Sequence, residues 1–306
     1  MSKIEFNHTS LWYDEVIALN EVTFDFRPGI TGLVGSNGAG KTSSIKLAAG
    51  LLKPTLGTIT VDGESIWHNY EYYKRMGYSP EIDRQFSFMT GRQFLDWAGR
   101  FHSIPLRERK KRVGKILKEV GMTHAADRKI EGYSRGMRQR IKVAQSLINE
   151  PRVLLSDEPL SGTDPIGRNI MIDLFKTLAL DEGVTIVVSS HVLHELERIS
   201  DRVIVLESGK LVAEGKVSDV RVALSKIPQK LRISTNNAQE LAKHIVQLVK
   251  GMDIVDDTEL IVQVANRREF AEKLVDMVES TNIVINELAV LDEDLTSVFK
   301  LIKNSS

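Results

Sequence analysis

Gly35-Ser36-Asn37-Gly38-Ala39-Gly40-Lys41-Thr42 decides the fold. The stretch satisfies the phosphate-binding pattern G-x-x-x-x-G-K-[ST] in full. An apolar run, Ile30-Thr31-Gly32-Leu33-Val34, reads as a buried strand just before it, and a helix-forming segment from Thr42 to Leu52 follows. The glycines let the backbone turn its N–H groups inward, unobstructed by Cβ atoms, into a nest for phosphate oxygens. The helix adds the positive end of its dipole. Lys41 can then reach the β- and γ-phosphates, and Thr42 offers its hydroxyl to Mg²⁺. A glycine-rich turn carrying a surface lysine is the bland alternative, and the strand–loop–helix setting argues against it. The expectation is an α/β domain that binds a nucleoside triphosphate.

Composition narrows the class further. The chain has 306 residues, 42% hydrophobic and 27% charged, which suits a protein with a real core and length enough for two domains. Basic and acidic residues balance at 41 each, so no global field favours nucleic acid, and none is expected as a partner. The absence of cysteine excludes disulfides, thiol catalysis and cysteine-ligated metal centres. No apolar stretch approaches the ~18–20 residues of a membrane span, and Met1-Ser2-Lys3-Ile4-Glu5-Phe6 lacks the apolar segment of a signal peptide. These features point to the cytoplasm.

Upstream of the loop, Lys3 to Phe6 and Val22 to Phe26 alternate apolar and polar residues as half-buried strands do. Trp12-Tyr13 lies between them, and its spacing alone leaves two readings open, core packing or stacking on a purine. Downstream, Lys53-Pro54-Thr55-Leu56-Gly57 stops the helix, and Thr58 to Val61 and Met76 to Glu81 read as strands. Residues 91–148 are largely helical by pattern: Phe94, Trp97, Ala98 and Phe101 share one apolar face. The basic run Arg107, Arg109, Lys110, Lys111 and Arg112 reads as a solvated helix face.

Arg152 to Glu158 is a short apolar strand ending in two acids. Buried parallel strands seldom finish in adjacent carboxylates unless something cationic binds there. Beside a triphosphate site, Asp157 is the natural Mg²⁺-side acid and Glu158 can serve as general base for an attacking water. A second buried strand, Val184 to Ser189, ends at Ser190-His191, on the sheet edge where ligands gather in open α/β folds. Arg202–Leu206 and Lys210–Glu214 bracket Glu207-Ser208-Gly209 as a hairpin.

The character changes over Ser218 to Lys230. Beyond it the pattern predicts strand Leu231–Ser234, helix Ala238–Lys250, strands Asp253–Asp256 and Glu259–Val264, helix Arg267–Glu279, strand Ile283–Val290 and a last helix Asp294–Ile302. The order β-α-β-β-α-β is that of a ferredoxin-like unit. It carries no catalytic constellation, and its histidine, His244, reads as a helix-face residue.

Tyr133-Ser134-Arg135-Gly136-Met137-Arg138-Gln139-Arg140 separates the remaining phosphate-loop classes. It precedes a helix and lies about a dozen residues ahead of Arg152, where the ATP-binding cassette (ABC) family carries its L-S-G-G-Q signature, and it resembles the variant "YSxGMxQR" form. Ser134 and Gly136 match the positions that contact the γ-phosphate held by a partner subunit. Arg135 and Met137 belong to the same nucleotide-contacting segment but depart from the usual glycine and glutamine. The resemblance covers roughly the first 220 residues in family order. It implies that Tyr13 stacks on adenine and that Gly35 through Ser43 cradle ATP (Gly35, Ser36, Asn37, Gly38, Ala39, Gly40, Lys41, Thr42 and Ser43). Glu81 occupies the Q-loop place, where most members have glutamine. This is similar to the "GYxPE" form of the exporters of drugs, antibiotics, lipids and polysaccharides, and puts a carboxylate within reach of Mg²⁺ or water. Leu160-Ser161-Gly162-Thr163-Asp164-Pro165 looks like the D-loop, with Asp164 near nucleotide, and His191 like the switch histidine. Leu291 to Phe299 looks like the "LEDVF" tail of the same exporter cassettes.

The resemblance implies a phosphate-loop α/β domain over residues 1–220, built from a mixed sheet, an antiparallel β subdomain and a helical subdomain at about 85–150. A linker at 221–229 and an accessory ferredoxin-like α+β domain at 230–306 follow. Glu158, His191 and Lys41 are the expected catalytic residues, and Thr42, Asp157 and Glu81 the Mg²⁺ side. The expected partners are a second cassette, identical or paralogous, and an integral-membrane permease that holds the chain at the inner face of the membrane. A soluble cassette protein of DNA repair or translation is the alternative. Such proteins usually carry a long coiled-coil insertion, a metal cluster or a second fused cassette, and Thr42 to Arg152 has no sustained heptads. No N-K-x-D motif supports a GTPase.

Overall fold

The computed structural model describes residues 2–81, 87–200, 202–220, 229–279 and 281–290. The chain forms two compact units, Met1–Val217 and Ser218–Ser306.

The first unit contains two sheets. Strands β1 (Ile4–Tyr13), β2 (Val16–Phe26), β4 (Leu56–Val61) and β5 (Glu64–Ser65) form an antiparallel sheet in the order β2-β1-β4-β5. Strands β3 (Gly29–Val34), β6 (Met76–Ser79), β7 (Val153–Ser156), β8 (Thr185–Ser190), β9 (Arg202–Glu207) and β10 (Lys210–Lys216) form a six-stranded sheet in the order β10-β9-β3-β8-β7-β6. All neighbours in it are parallel except β10, which returns antiparallel to β9. β7 and β8 are buried at every position, as expected of interior parallel strands covered on both faces. Helix α1 (Lys41–Ala48) follows the phosphate loop. Its Ile45 and Leu47 join Phe6, Leu33 and Ile204 in one core uniting both sheets. After α2 (Tyr70–Lys74) come α3 (Gly91–Phe101), α4 (Leu106–Glu119) and α5 (Arg135–Ser146), then α6 (Pro165–Leu180) and α7 (Leu193–Glu197). A capping box at Thr90 and Gln93 starts α3.

Several boundaries differ from the sequence pattern. β1 and β2 run through residues that the alternation assigned to no strand, because register shifts between Phe6, Thr9 and Leu11 break the period of two. Their two-residue turn brings Tyr13 opposite Val16, with Asp14 at φ 50°. α1 stops at Ala48, not Leu52. Gly50 turns left-handed at φ +67°, its N–H bonding Leu47 O and the Leu51 N–H bonding Lys46 O, the Schellman pattern.

In the second unit β11 (Gln229–Thr235), β12 (Gly251–Ile254), β13 (Glu259–Val264) and β14 (Ile285–Val290) form an antiparallel sheet in the order β12-β13-β11-β14, with helices α8 (Ala238–Ile245) and α9 (Arg267–Glu279) in the crossovers. That order and direction are those of a ferredoxin-like βαββαβ unit. Leu231, Ile233, Leu241, Leu260, Val262, Phe270 and Leu274 make its core. α8 ends earlier than its apolar stripe suggests, because the Lys250 N–H already pairs with Gln263 O at 2.7 Å. β12 sits two residues before its expected place, since Asp256 Oδ1 accepts the Thr258 N–H at 2.7 Å in a side-chain-closed turn. Residues 221–228 of the expected linker, and the expected helix Asp294–Ile302 with the tail from Leu291, lie outside the described residues. Among the described residues no helix is long and apolar enough to cross a membrane.

Phe6, fully buried, stacks on Phe24 at 4.5 Å and meets Phe26 edge-on at 5.5 Å. We expect Phe6→Ala to cost about 3–5 kcal/mol, read in urea unfolding of the first unit. A loss below about 1 kcal/mol would mean that the β1–β2 core closes over the missing ring.

Candidate functional site

The phosphate loop is held in its curve by the lack of side chains where the backbone crowds. A Cβ on Gly40, at φ +103°, would lie 2.7 Å from both Ala18 O and Leu19 Cδ2. Gly40 caps α1 without a side-chain hydrogen bond, so no capping side chain takes the first N–H groups of the helix that follows the loop. That is a fit for phosphate oxygens. Lys41, 6% exposed, donates to Gly35 O at 2.7 Å and Ser36 O at 3.0 Å. Its ammonium also lies 3.7 Å from Glu158 Oε1. Ser36 Oγ anchors the loop to β9 through Glu207 Oε2 at 2.9 Å.

The acids ending β7 are both buried. Asp157 Oδ1 accepts from Ser189 Oγ at 2.6 Å, and the same Ser189 oxygen accepts the Glu158 N–H at 2.8 Å. Glu158 has φ 49°, a left-handed conformation uncommon for a residue with a Cβ. Its backbone is pinned at both ends, because its carbonyl accepts from Gln139 Nε2 at 3.0 Å. Its Oε2 lies 3.1 Å from His191 Nδ1, on a ring that is half exposed. Burial pushes the Glu158 carboxyl above its ordinary pKa, against the opposing pull of His191 and Lys41. Asp157 Oδ2 and Glu158 Oε1 are buried and have no hydrogen-bond partner among the described residues. Glu158 Oε1 already faces the Lys41 ammonium, whereas the buried Asp157 Oδ2 calls for a cation or an ordered water. The donor set of Thr42 and Asp157 is all oxygen and fits Mg²⁺.

One open cleft of about 580 Å³ collects most of the expected residues. Tyr13, 42% exposed, lines one part with Val16 and Ile17, and its hydroxyl lies 3.5 Å from Ser43 Oγ. Ser36, Asn37, Gly38, Gly40, Lys41, Thr42 and Ser43 line the loop itself. Ala18, Glu81, Arg135, Glu158, Ser161 and His191 complete the lining. Gly35 and Ala39 support the loop from behind, where a Cβ on Gly35 would sit 2.8 Å from Ala39 Cβ. Asp157, Ser134, Gly136, Met137 and Asp164 lie outside this lining. Ser134 Oγ caps α5 by accepting the Met137 N–H at 3.2 Å, and Asp164 caps α6 by accepting the Gly167 N–H at 3.2 Å. A Cβ on Gly136 would come within 3.2 Å of Thr163 Cα, so the signature-like segment packs directly on the segment before α6.

Sequence reasoning gave no role to Ser189, Gln139, Lys142 or Ser161. Lys142, 3% exposed, donates to Glu81 O at 2.6 Å and Pro80 O at 3.0 Å, tying α5 to the backbone of the Glu81 loop. A polar or charged residue on the core-facing side of an apolar pattern was the available signal for Ser189 and Lys142.

With this geometry in hand, the comparisons with known proteins agree on a class. A family model described as ABC transporter matches residues 19–161. The chain is 37% identical over 189 residues to YxlF, an uncharacterized ABC transporter ATP-binding protein of Bacillus subtilis, covering 62% of each protein, so the match spans less than two thirds of that relative. It is 33% identical over 217 residues to the Nod factor export ATP-binding protein I of Burkholderia orbicola, covering 70% of this chain and 71% of that one. Among solved structures, the ATP-binding cassette MJ0796, in a dimeric post-hydrolysis state bound to ADP and Pi, superposes with TM-score 0.65 at 23% identity over 70% of this chain and 98% of that chain, a likeness of fold. Phosphate loop, buried acid pair, strand-end histidine and the relatives' shared identity together make this chain a member of the ABC transporter ATP-binding family.

Proposed function

We propose that the chain hydrolyses ATP with Mg²⁺ as the motor subunit of an exporter, working as one of two cassettes at the inner face of the membrane against a separate permease. The observation that carries this reading is the meeting of Lys41, Glu158 and His191 in the phosphate-loop cleft, with Asp157 tied to the Glu158 backbone through Ser189. The relative named for Nod factor export supports the outward direction. A groove of about 760 Å³ on α3 and α4, lined by Phe88, Trp97 and Leu106, offers an apolar seat for a permease segment.

In this mechanism Tyr13 stacks on adenine, the loop N–H groups and Lys41 hold the phosphates, and Thr42 and Asp157 hold Mg²⁺. Held by those residues, Mg²⁺ would supply positive charge against the phosphates. Glu158 takes a proton from the attacking water, its basicity raised by burial. His191 orients the Glu158 carboxylate through the 3.1 Å contact. Glu81 enters the Mg²⁺ side from its loop. Ser134 and Gly136, with Met137 beside them and Asp164 below, face the partner cassette's nucleotide.

Glu158→Gln tests the chemistry. It keeps the shape and loses the base, so turnover should fall about 10²–10⁴-fold with ATP affinity near wild type. The variant should accumulate as an ATP-bound dimer in size-exclusion chromatography. Wild-type turnover in Glu158→Gln would remove Glu158 from the role. The same variant carries a stability signature. An acid whose pKa is higher folded than unfolded destabilises the fold once ionised, so the cost is present at neutral pH and vanishes in acid. Nucleotide-free Glu158→Gln should therefore melt above wild type at pH 7–8, and the gain should disappear as pH falls toward ~4.

Assembly and transport have their own tests. Hydrolysis should rise faster than linearly with protein concentration below the dimerisation constant, and Ser134→Arg should abolish turnover while dilute monomers still bind ATP. Turnover strictly linear in dilute protein would count against a shared site. Affinity purification of the full chain from membranes should recover a protein with several apolar spans. Recovery from the soluble fraction alone would redirect the reading to a soluble cassette.

A further inference from the structure

At residue 135 the signature-like segment has an arginine where the family usually has glycine, and the added side chain has a definite place. Arg135 opens α5 next to the Ser134 cap, the helix end assigned above to the partner's nucleotide. Its side chain lies back along its own chain instead. Nη2 donates to Ser161 Oγ at 3.0 Å. The arm runs across Gly162, which sits at φ +68°, so closely that a Cβ there would be 2.5 Å from Arg135 Cδ and 3.0 Å from Cγ. A glycine at 162 thus makes the channel in which the arginine rests. From that channel Arg135 lines the same cleft as Lys41, Thr42, Glu158 and His191.

The electrostatics of the cleft leave this guanidinium with capacity to spare. It is permanently charged and carries five N–H donors. Its partner among the described residues is a neutral hydroxyl, and it forms no ion pair among them. Lys41, the other fixed cation of the cleft, is already turned onto Gly35 O, Ser36 O and Glu158. Glu158 puts a carboxylate where a third phosphate would bring more negative charge. A second cation on that side offsets the repulsion, and a planar fork suits phosphate oxygens better than a point charge.

We propose that Arg135 contacts the terminal phosphate of the nucleotide held by its own chain's phosphate loop, with Ser161 aiming the guanidinium. The inference rests on the ATPase reading above and deepens it: the segment whose backbone serves the partner's nucleotide has a side chain that reads the one at home. The contact exists only when a third phosphate is present, so Arg135 discriminates ATP from ADP before any dimer forms. It also links the position of Ser161 and Gly162, just before α6, to the state of the nucleotide.

The test uses the full-length chain, diluted until sedimentation velocity reports monomers, with Mg²⁺ and either AMP-PNP or ADP titrated by calorimetry. Arg135→Ala should weaken AMP-PNP binding about tenfold or more, the loss expected for a charge-assisted hydrogen-bonded pair, and leave ADP binding unchanged. Arg135→Lys should fall between, keeping the charge without the fork. Ser161→Ala should reproduce part of the loss. Unchanged AMP-PNP affinity in monomeric Arg135→Ala, with a defect confined to dimer formation, would overturn the proposal and assign the residue to the partner's nucleotide. Equal weakening of AMP-PNP and ADP would overturn it as well. If wild-type chain bound neither nucleotide, the ATPase reading itself would fail, a result distinct from both.

Discussion

The arrangement depends on burying two adjacent carboxylates at the end of β7. An ionised carboxylate removed from water is costly unless donors or cations face it, and Asp157 and Glu158 stand side by side. In a regular strand their side chains would point to opposite faces. Glu158 instead adopts φ 49°, and the left-handed turn aims it at Lys41 and His191 while Asp157 stays under the sheet edge against Ser189. The strain of that backbone is met by hydrogen bonds to both sides of the residue, from Gln139 and to Ser189. The phosphate loop, β8 and α5 each contribute one of these partners. Their mutual placement follows from the parallel order β3-β8-β7, which puts three strand ends on one edge.

Helix α5 has a larger part in this than its surface-like composition suggests. Four successive residues, Gln139 to Lys142, are buried, three of them polar or charged. Each of the three polar side chains bonds a backbone carbonyl on another segment: Glu158 for Gln139, Val120 and Gly121 for Arg140, and Pro80 and Glu81 for Lys142. Long polar side chains used this way fix distances between segments without adding apolar bulk. The segment that would meet a partner cassette is therefore mechanically joined to the acid pair and to the Glu81 loop within one unit. Movement of either loop must shift α5 or break these bonds.

Much of this was legible in the sequence, and what was not has physical causes. The phosphate loop, the acid-ending strand and the strand-end histidine were legible because each is marked by residue type and spacing within a short stretch of chain. The full lengths of β1 and β2 were hidden because irregularities between Phe6, Thr9 and Leu11 shift the inward face, and alternation is the signal that marks a half-buried strand. The end of α1 differs from the sequence pattern because Gly50 closes the helix in the left-handed region before Pro54 can act as the stop. α8 and β12 were displaced because an Asx-type turn at Asp256 and the pairing of Lys250 with β13 outweigh helix propensity.

The supporting residues of the site were the least legible, and Ser189 shows why. A serine at the end of an apolar strand is ordinary by composition. Its significance lies in one oxygen that donates to Asp157 and accepts from Glu158, which only the packing of β8 beside β7 creates. Arg135 differs in kind. Its sequence position marks it as unusual for the family, yet its place at the start of a helix does not say which way its arm runs. The direction its arm takes depends on a positive φ at Gly162, 27 residues away in the chain, which no local pattern encodes. Residues of the phosphate loop and the strand ends can thus be named from a motif, whereas those that hold them in place are set by contacts between segments that only the folded chain brings together.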